Sequence, residues 1–428
     1  MINPDYRRSC FALAVIATVG WAGCERTQDG GNVQLVTVWA HQGQELENAA
    51  MREIIAAFNQ AHKQEKLQVE ISFFPDRQYA DKVSIASASA RLPDVLDIDG
   101  PHVGPWAAEG LLHPIDEFVS DELRADFLPS IIQQGTFAGR LYALGAFDSA
   151  LVVYYNRDMI EAAGLQPPER VQDAWSWDQF LDALQRVKAH AAIPLSLHMD
   201  EQSDEWLTYA FSPLIWSNGG QLIDTENQRV VGILDSPPVV QALGRWQELF
   251  KSGFAEATTT NPNPFAAGLA AFDWTGHWML PSFEVAEGLR FGAMPLPQLG
   301  DNLVCASGSW CWGISRDCRD KAAAWKVLAW LVDPEHGIKP IVEANGAVPS
   351  RRSAFRLFPE YGQMPRRLFR EQLETAARAR PRTPVYFSLT SEFARAMRDI
   401  ALGADVQTAL TKAAHTVQRA LDRQQPGK

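Results

Sequence analysis

Chemistry in this chain would have to come from a small set of side chains. Ser307-Gly308-Ser309-Trp310 is its nearest approach to a nucleophile elbow, and it lacks the second glycine of Gly-x-Ser-x-Gly. No His-Glu-x-x-His, phosphate loop or Gly-x-Gly-x-x-Gly after a strand occurs, so metalloprotease, nucleotide and dinucleotide readings have no support. Cys305, Cys311 and Cys318 match no zinc spacing and have no histidine among them, so neither a metal nor a cofactor is expected. In an oxidising compartment they allow one disulfide with one thiol left over, and the spacing does not choose the pair. A glycosidase needs only two carboxylates, which Asp97, Asp99 and Asp148 could supply, although acids at strand ends are more often solvated or helix-capping. The residues in excess are aromatic: 14 Trp and 21 Phe exceed what packing alone usually requires and point to an aromatic-lined binding surface.

The elements that must position these residues alternate in period. Val33 to Trp39 is β-branched and alternating, Glu45 to His62 has helical periodicity, and Leu67 to Phe74 alternates again, which predicts a β-α-β opening. A helix over Tyr79 to Ala90 leads through Leu92-Pro93 into a short apolar strand, Asp94 to Ile98. Leu141 to Tyr155 reads as a long extended stretch interrupted at Gly145 and able to cross between two lobes. Beyond it the pattern predicts a helix entered at Ser176, a strand over Ile193 to Leu197 and a helix over Glu205 to Trp216 stopped by Asn218-Gly219-Gly220. Further helices are predicted over Val239 to Ser252, Pro264 to Ala271, Lys321 to Val332, Pro365 to Ala379, Thr390 to Leu402 and Asp405 to Arg423. Phe291 to Met294 and Trp310 to Ile314 read as strands. The alternation argues for an α/β fold with mainly parallel sheets flanked by helices.

Composition agrees: 428 residues, 46% hydrophobic and 21% charged, are ordinary for a globular chain of two or three domains. A net charge of −12 without basic runs argues against nucleic acid as a partner. Arg7-Arg8, the apolar run Cys10 to Val19 and the small residues Ala22-Gly23 read as an export signal over 1–23. Trp21-Ala22-Gly23-Cys24 resembles a lipobox, with Trp21 where leucine is usual, so Cys24 is the expected lipidation site. Residues 24–32 then form a polar tether holding a soluble domain at a membrane through its lipid only.

A longer set of strings carries a family resemblance across nearly the whole exported chain. It includes Pro93-Asp94-Val95 with Asp99, Glu109-Gly110-Leu111-Leu112-His113-Pro114-Ile115 and Gly139-Arg140-Leu141-Tyr142-Ala143-Leu144. It continues through Tyr154-Tyr155-Asn156-Arg157-Asp158-Met159, Trp177-Asp178-Gln179-Phe180, Asn218-Gly219-Gly220, Phe265 to Phe272, Gly276-His277-Trp278 and Gly313-Ile314-Ser315. In order and at this spacing the chain resembles the extracellular solute-binding proteins of bacterial ABC importers, the carbohydrate-binding family that includes maltose- and trehalose-binding proteins. The resemblance implies a two-lobed periplasmic-binding-protein fold of type II with a hinged cleft. It implies one lobe of 33–143 plus about 307–348 and a second of about 144–306 plus 349–424. The crossings are expected near Leu141 to Phe147, Leu303 to Gly308 and Gly346 to Arg351.

The same resemblance implies site residues. Glu45 and Asp99 match sugar-binding carboxylates, Trp278 the main stacking ring, with Trp274 as a companion, and Trp310 a ring presented by a loop. Phe147 matches a cleft aromatic, while Ser149 stands where relatives carry an acid, so that either Asp148 replaces it by a one-residue shift or the site lacks that carboxylate. Gly346 matches a close backbone approach to ligand, and Arg380 an arginine that grips hydroxyls. Trp39, His41, Trp206 and Trp216 are further candidate rings. Sugars present apolar C–H faces and a rim of hydroxyls, so flat rings and fixed polar groups are what a site for them needs. The implied function is a monomeric, lipid-anchored receptor in the cell envelope, not an enzyme, that hands a di- or oligosaccharide, such as an α-glucoside, to a permease. A polyol-phosphate or glycerophosphodiester receptor on the same scaffold, or a secreted glycoside-active enzyme, are the alternatives.

Overall fold

The computed structural model describes residues 33–199, 204–258 and 261–424. The export segment, the tether and Cys24 lie outside those residues. Among the described residues no helix is long and apolar enough to cross a membrane.

The opening is the β-α-β unit that its periodicity predicts. Strand β1, Gln34–Gln42, buries Val36, Val38 and Ala40 on one face. Helix α1, Glu45–Ala61, lays Met51, Ile54, Ile55 and Phe58 against it, and strand β2, Leu67–Pro75, runs parallel to β1 from Gln34↔Leu67 to Gln42↔Pro75. Strand β3, Val95–Asp99, is parallel to β1 on its other side and buried throughout. The sheet is then completed antiparallel. Trp310–Ser315 pairs with β3, placing Trp310 opposite Asp99, and Leu112–His113 and Ala143–Leu144 pair with Trp310–Ser315 in turn.

A second sheet has the order Ile193–Ser196, Ala270–Gly276, Leu151–Asn156, Phe291–Met294. Its first pair is parallel, and Leu151–Asn156 runs antiparallel to both of its neighbours. Strand directions are therefore more mixed than a mainly parallel reading implies, because strands that return from the other sheet enter each ladder reversed. Ala270–Gly276 also overturns the helix expected over Pro264 to Ala271. A turn closed at Gly268, with φ +69°, ends the helical spacing, and the apolar run continues as a fully buried strand.

The chain passes between the sheets three times. The first passage, through Phe147–Asp148, pairs antiparallel with the third, through Val348–Pro349. The second, Cys305–Ser307, pairs parallel with Ala377–Ala379. Asp148 joins the first two passages: its Oδ1 accepts from the backbone N–H of Gly308 at 2.9 Å and of Ser149 at 2.8 Å. Burial pushes its carboxyl pKa up, against the pull of those donors. The sequence suggested Asp148 as the cleft carboxylate in place of Ser149, but with no exposed surface it is a strut between passages instead.

Candidate functional site

A cleft of about 290 Å³ opens between the two sheets, at the ends of β1 and β3. This is where α/β sheets place ligands, outside the carboxyl ends of their strands. On the first wall, His41, one residue before the end of β1, has Nδ1 2.6 Å from the buried Asp97 and its ring stacked on Trp310 at 3.7 Å and 11°. The turn after β1 is pinned by Asn48, whose side chain bonds Gly43 N–H at 3.1 Å and Gly43 C=O at 2.8 Å. A side chain on Gly43 would run into the Glu47 carboxylate, so the glycine lets that group lie against the turn. Glu47 Oε1 accepts from Asn345 Nδ2 at 3.2 Å. Burial raises the Glu47 pKa, with His41 and Asn345 opposing. Burial raises that of Asp97 too, with His41 opposing.

The second wall comes from the helix Asp204–Ser217 and the turn after Ala270–Gly276. Glu205, Trp206 and Tyr209 share the cleft-facing side of the first turns of that helix. Trp278 meets Trp206 edge-on at 6.0 Å and 86°, with Tyr209 at 6.2 Å. Gly276 is required here, since any Cβ would occupy the Trp278 ring. Tyr209 OH lies 2.7 Å from Ser149 Oγ. His277, 2% exposed, is 2.9 Å through Nδ1 from Asn345 C=O, and burial lowers its pKa to about 4, so it is neutral near pH 7.

Arg380 bridges the walls. Its guanidinium is bidentate on Asp99, with Nη2 to Oδ1 at 2.8 Å and Nη1 to Oδ2 at 3.0 Å, and Nη1 also donates to Glu205. It lies over the Tyr209 ring, 4.8 Å from its centroid. Tyr386 OH donates to Glu205 Oε1, and Thr390 Oγ1 to Glu205 Oε2 at 3.0 Å. Burial works against the Arg380 charge, but Asp99 and Glu205 outweigh it and hold its pKa well above the ordinary arginine value. Ligand atoms of Asp99, His102 and Glu205 lie within 4.8 Å of one another, a spacing a metal could use, yet the two carboxylates already hold this guanidinium.

Of the residues singled out from sequence, Asp99, Phe147, Ser149, Trp278, Trp310 and Arg380 converge on this cleft, together with His41 and Trp206. The others do not. Trp274, 1% exposed, points from its strand into the core against Phe180 and Phe211 and does not line the cleft. Trp39 packs edge-on against Phe74 at 5.1 Å with Lys82 over its ring, on the same face of β1 as His41 but short of the cleft. Trp216 is buried beneath the Arg378 guanidinium. Glu45 is exposed at the first position of α1, and Glu47, two residues on, turns inward instead. Gly346 caps the helix Lys339–Asn345 at φ +67°, where its close approach is to the His277 carbonyl rather than to the cleft. Glu47, Glu205 and Tyr209 were missed. An acid and two aromatics at i, i+1 and i+4 on one helix start were a usable signal for the last two.

Two α/β lobes joined by three passages around such a cleft define a type II periplasmic-binding-protein fold. The chain belongs to the bacterial extracellular solute-binding protein family, whose sequence profile matches residues 42–338. It is 25% identical over 301 residues to the maltotriose-binding protein of Pyrococcus abyssi (strain GE5 / Orsay), covering 66% of this chain and 60% of that one. It is 21% identical over 437 aligned positions to the galactooligosaccharide-binding protein of Bacillus subtilis (strain 168), covering 98% of each. The match spans about 60% of the length of the first curated relatives. Among solved structures, the GacH receptor of Streptomyces glaucescens, studied unliganded and with acarbose, superposes with TM-score 0.77 at 20% identity, covering 92% of this chain and 98% of that one. UgpB from Mycobacterium tuberculosis, in complex with glycerophosphocholine, gives TM-score 0.77 at 23% identity, covering 92% and 100%.

Proposed function

We propose that this protein is the substrate-binding component of a carbohydrate ABC importer and captures a di- or oligosaccharide, such as an α-glucoside, in the cleft between its sheets. The observation that carries the reading is the joining of Trp278, Trp206, Tyr209 and Trp310 to Asp99, Glu205 and Arg380 in one cavity. Rings take the apolar sugar faces, and fixed polar groups choose among hydroxyl patterns, because a buried hydroxyl left unpaired costs about 1–3 kcal/mol. A ligand touching both walls favours the closed arrangement of the lobes, and that arrangement is the signal to the permease. The protein acts as a monomer, exported to the cell envelope and anchored through Cys24.

Two rival activities are disfavoured by the same geometry. A phosphodiester would meet Glu47, Asp99 and Glu205 with Arg380 committed to two of them and His277 neutral. Glycoside cleavage would need an available pair of carboxylates, whereas Asp99 is held by Arg380 and Asp97 by His41. The sugar is expected to leave unaltered.

Thermal-shift screening followed by calorimetry tests the reading, with maltose- and trehalose-type sugars, β-linked disaccharides and glycerophosphodiesters in one panel. A saturable response to a saccharide is expected. Response to the phosphodiesters alone, or to nothing, overturns it, and shortened oligosaccharides by chromatography would make the protein an enzyme.

A further inference from the structure

We propose that the Glu47 end of the cleft selects a cationic amino group, so that an aminosaccharide binds in preference to its neutral parent. This rests on the saccharide reading above and names the class within it. The cleft and the recess behind it hold four carboxylates, Glu47, Asp97, Asp99 and Glu205. Lining the two cavities against them are Arg380 and His41. Arg380 is spent on Asp99 and Glu205 together, with His102 within 4.8 Å of both, so the imbalance to be met lies at Glu47 and Asp97. His41 is committed through Nδ1 to Asp97 at 2.6 Å and flat against Trp310, so even as imidazolium it balances one of Asp97 and Glu47. His277 is buried and neutral, and among the described residues no lysine lines either cavity.

Glu47 is the carboxylate with room. Asn345 Nδ2 at 3.2 Å and the backbone N–H of Gln44 donate to it, whereas a carboxylate accepts about four hydrogen bonds. The missing side chain at Gly43 keeps it in the cleft wall, beside the His41–Trp310 stack. A sugar hydroxyl there would satisfy acceptor sites and leave uncompensated the burial and the Asp97 repulsion that disfavour the charged form of Glu47. An ammonium in the same place satisfies acceptor sites and offsets both, as a charge-assisted bond in a partly desolvated site. The Trp278 and Trp206 rings stay available to the sugar faces.

The test is calorimetry on the full chain with matched pairs at a pH where the amines are protonated. Trehalose is compared with the aminotrehaloses carrying one amine at C2, C3, C4 or C6, and cellobiose with the glucosamine dimer chitobiose. At least one amine is expected to bind about tenfold more tightly than its parent, the scale of one charge-assisted bond. Glu47→Gln should bring that ratio close to one, and the ratio in the native chain should fall in high salt. Parents that bind as well as every amine overturn this inference and leave the saccharide reading standing. If no parent and no amine binds, the saccharide reading falls and takes the inference with it. A ratio unchanged in Glu47→Gln places the preference elsewhere and refutes the assignment to Glu47.

Discussion

Replacing Arg380 with methionine keeps most of the side-chain volume and removes the charge between Asp99 and Glu205. The guanidinium side chain is 4% exposed and its two partners 9% and 17%, so both carboxylates would remain in a poorly solvated place without a counter-ion. Two charge-assisted bonds to Asp99, at 2.8 and 3.0 Å, are each worth roughly 1.5–3 kcal/mol net. Removal of one partner of a buried ion pair costs about 3–5 kcal/mol, which agrees with that sum. Urea unfolding without sugar, followed by tryptophan fluorescence, should therefore show Arg380→Met destabilised by about 3–5 kcal/mol. Asp99→Asn combined with it should recover part of the loss, because one of the two stranded charges is then gone. A loss below about 1 kcal/mol, the value of an exposed pair, would refute the reasoning and make Arg380 a solvated side chain.

The remaining expectations are narrower. Trp278→Ala should weaken binding of the cognate saccharide by about 1–3 kcal/mol, measured by calorimetry on a variant whose circular dichroism is unchanged. Asp148→Ala leaves the N–H groups of Gly308 and Ser149 unpaired, so a loss of about 2–4 kcal/mol is expected in urea, and a native-like midpoint would deny it the role of strut. His277 titrates at about 4 when folded against 6.5 unfolded, so between those values the unfolded chain binds more protons and stability falls as pH falls. Its full contribution, about 3 kcal/mol, should vanish from the pH profile of His277→Gln. Glu47 and Asp97, raised by burial, act in the opposite sense above the ordinary carboxylate range, where stability declines with rising pH.

Local period was enough to read the opening of the fold, because Val36, Val38 and Ala40 alternate and Met51, Ile54, Ile55 and Phe58 follow a helix face. It misled at Phe265-Ala266-Ala267-Gly268, where a helical spacing one turn long precedes a buried strand. For the site, the family resemblance carried Trp278, Trp310, Asp99 and Arg380. What failed was direction. Trp274 and Trp278 are four apart, yet the turn at Gly276 sends one into the core and the other into the cleft. Glu45 and Glu47 both suit the first turn of a helix, whose N-terminus favours acids, and only the rotation of α1 against β1 decides which faces inward. Asp148 reads as an available carboxylate until the passage through Gly308 is seen to lie against it. Such contacts join residues 160 positions apart and leave no local trace.

The most direct measurement is a crystal structure with the saccharide that calorimetry selects. It should show the sugar between the sheets, a ring face on Trp278 and hydroxyls or an amine within hydrogen-bond distance of Glu47 and Glu205. A sugar bound outside this cleft, with Trp278 and Trp310 left in their present packing, would contradict the account.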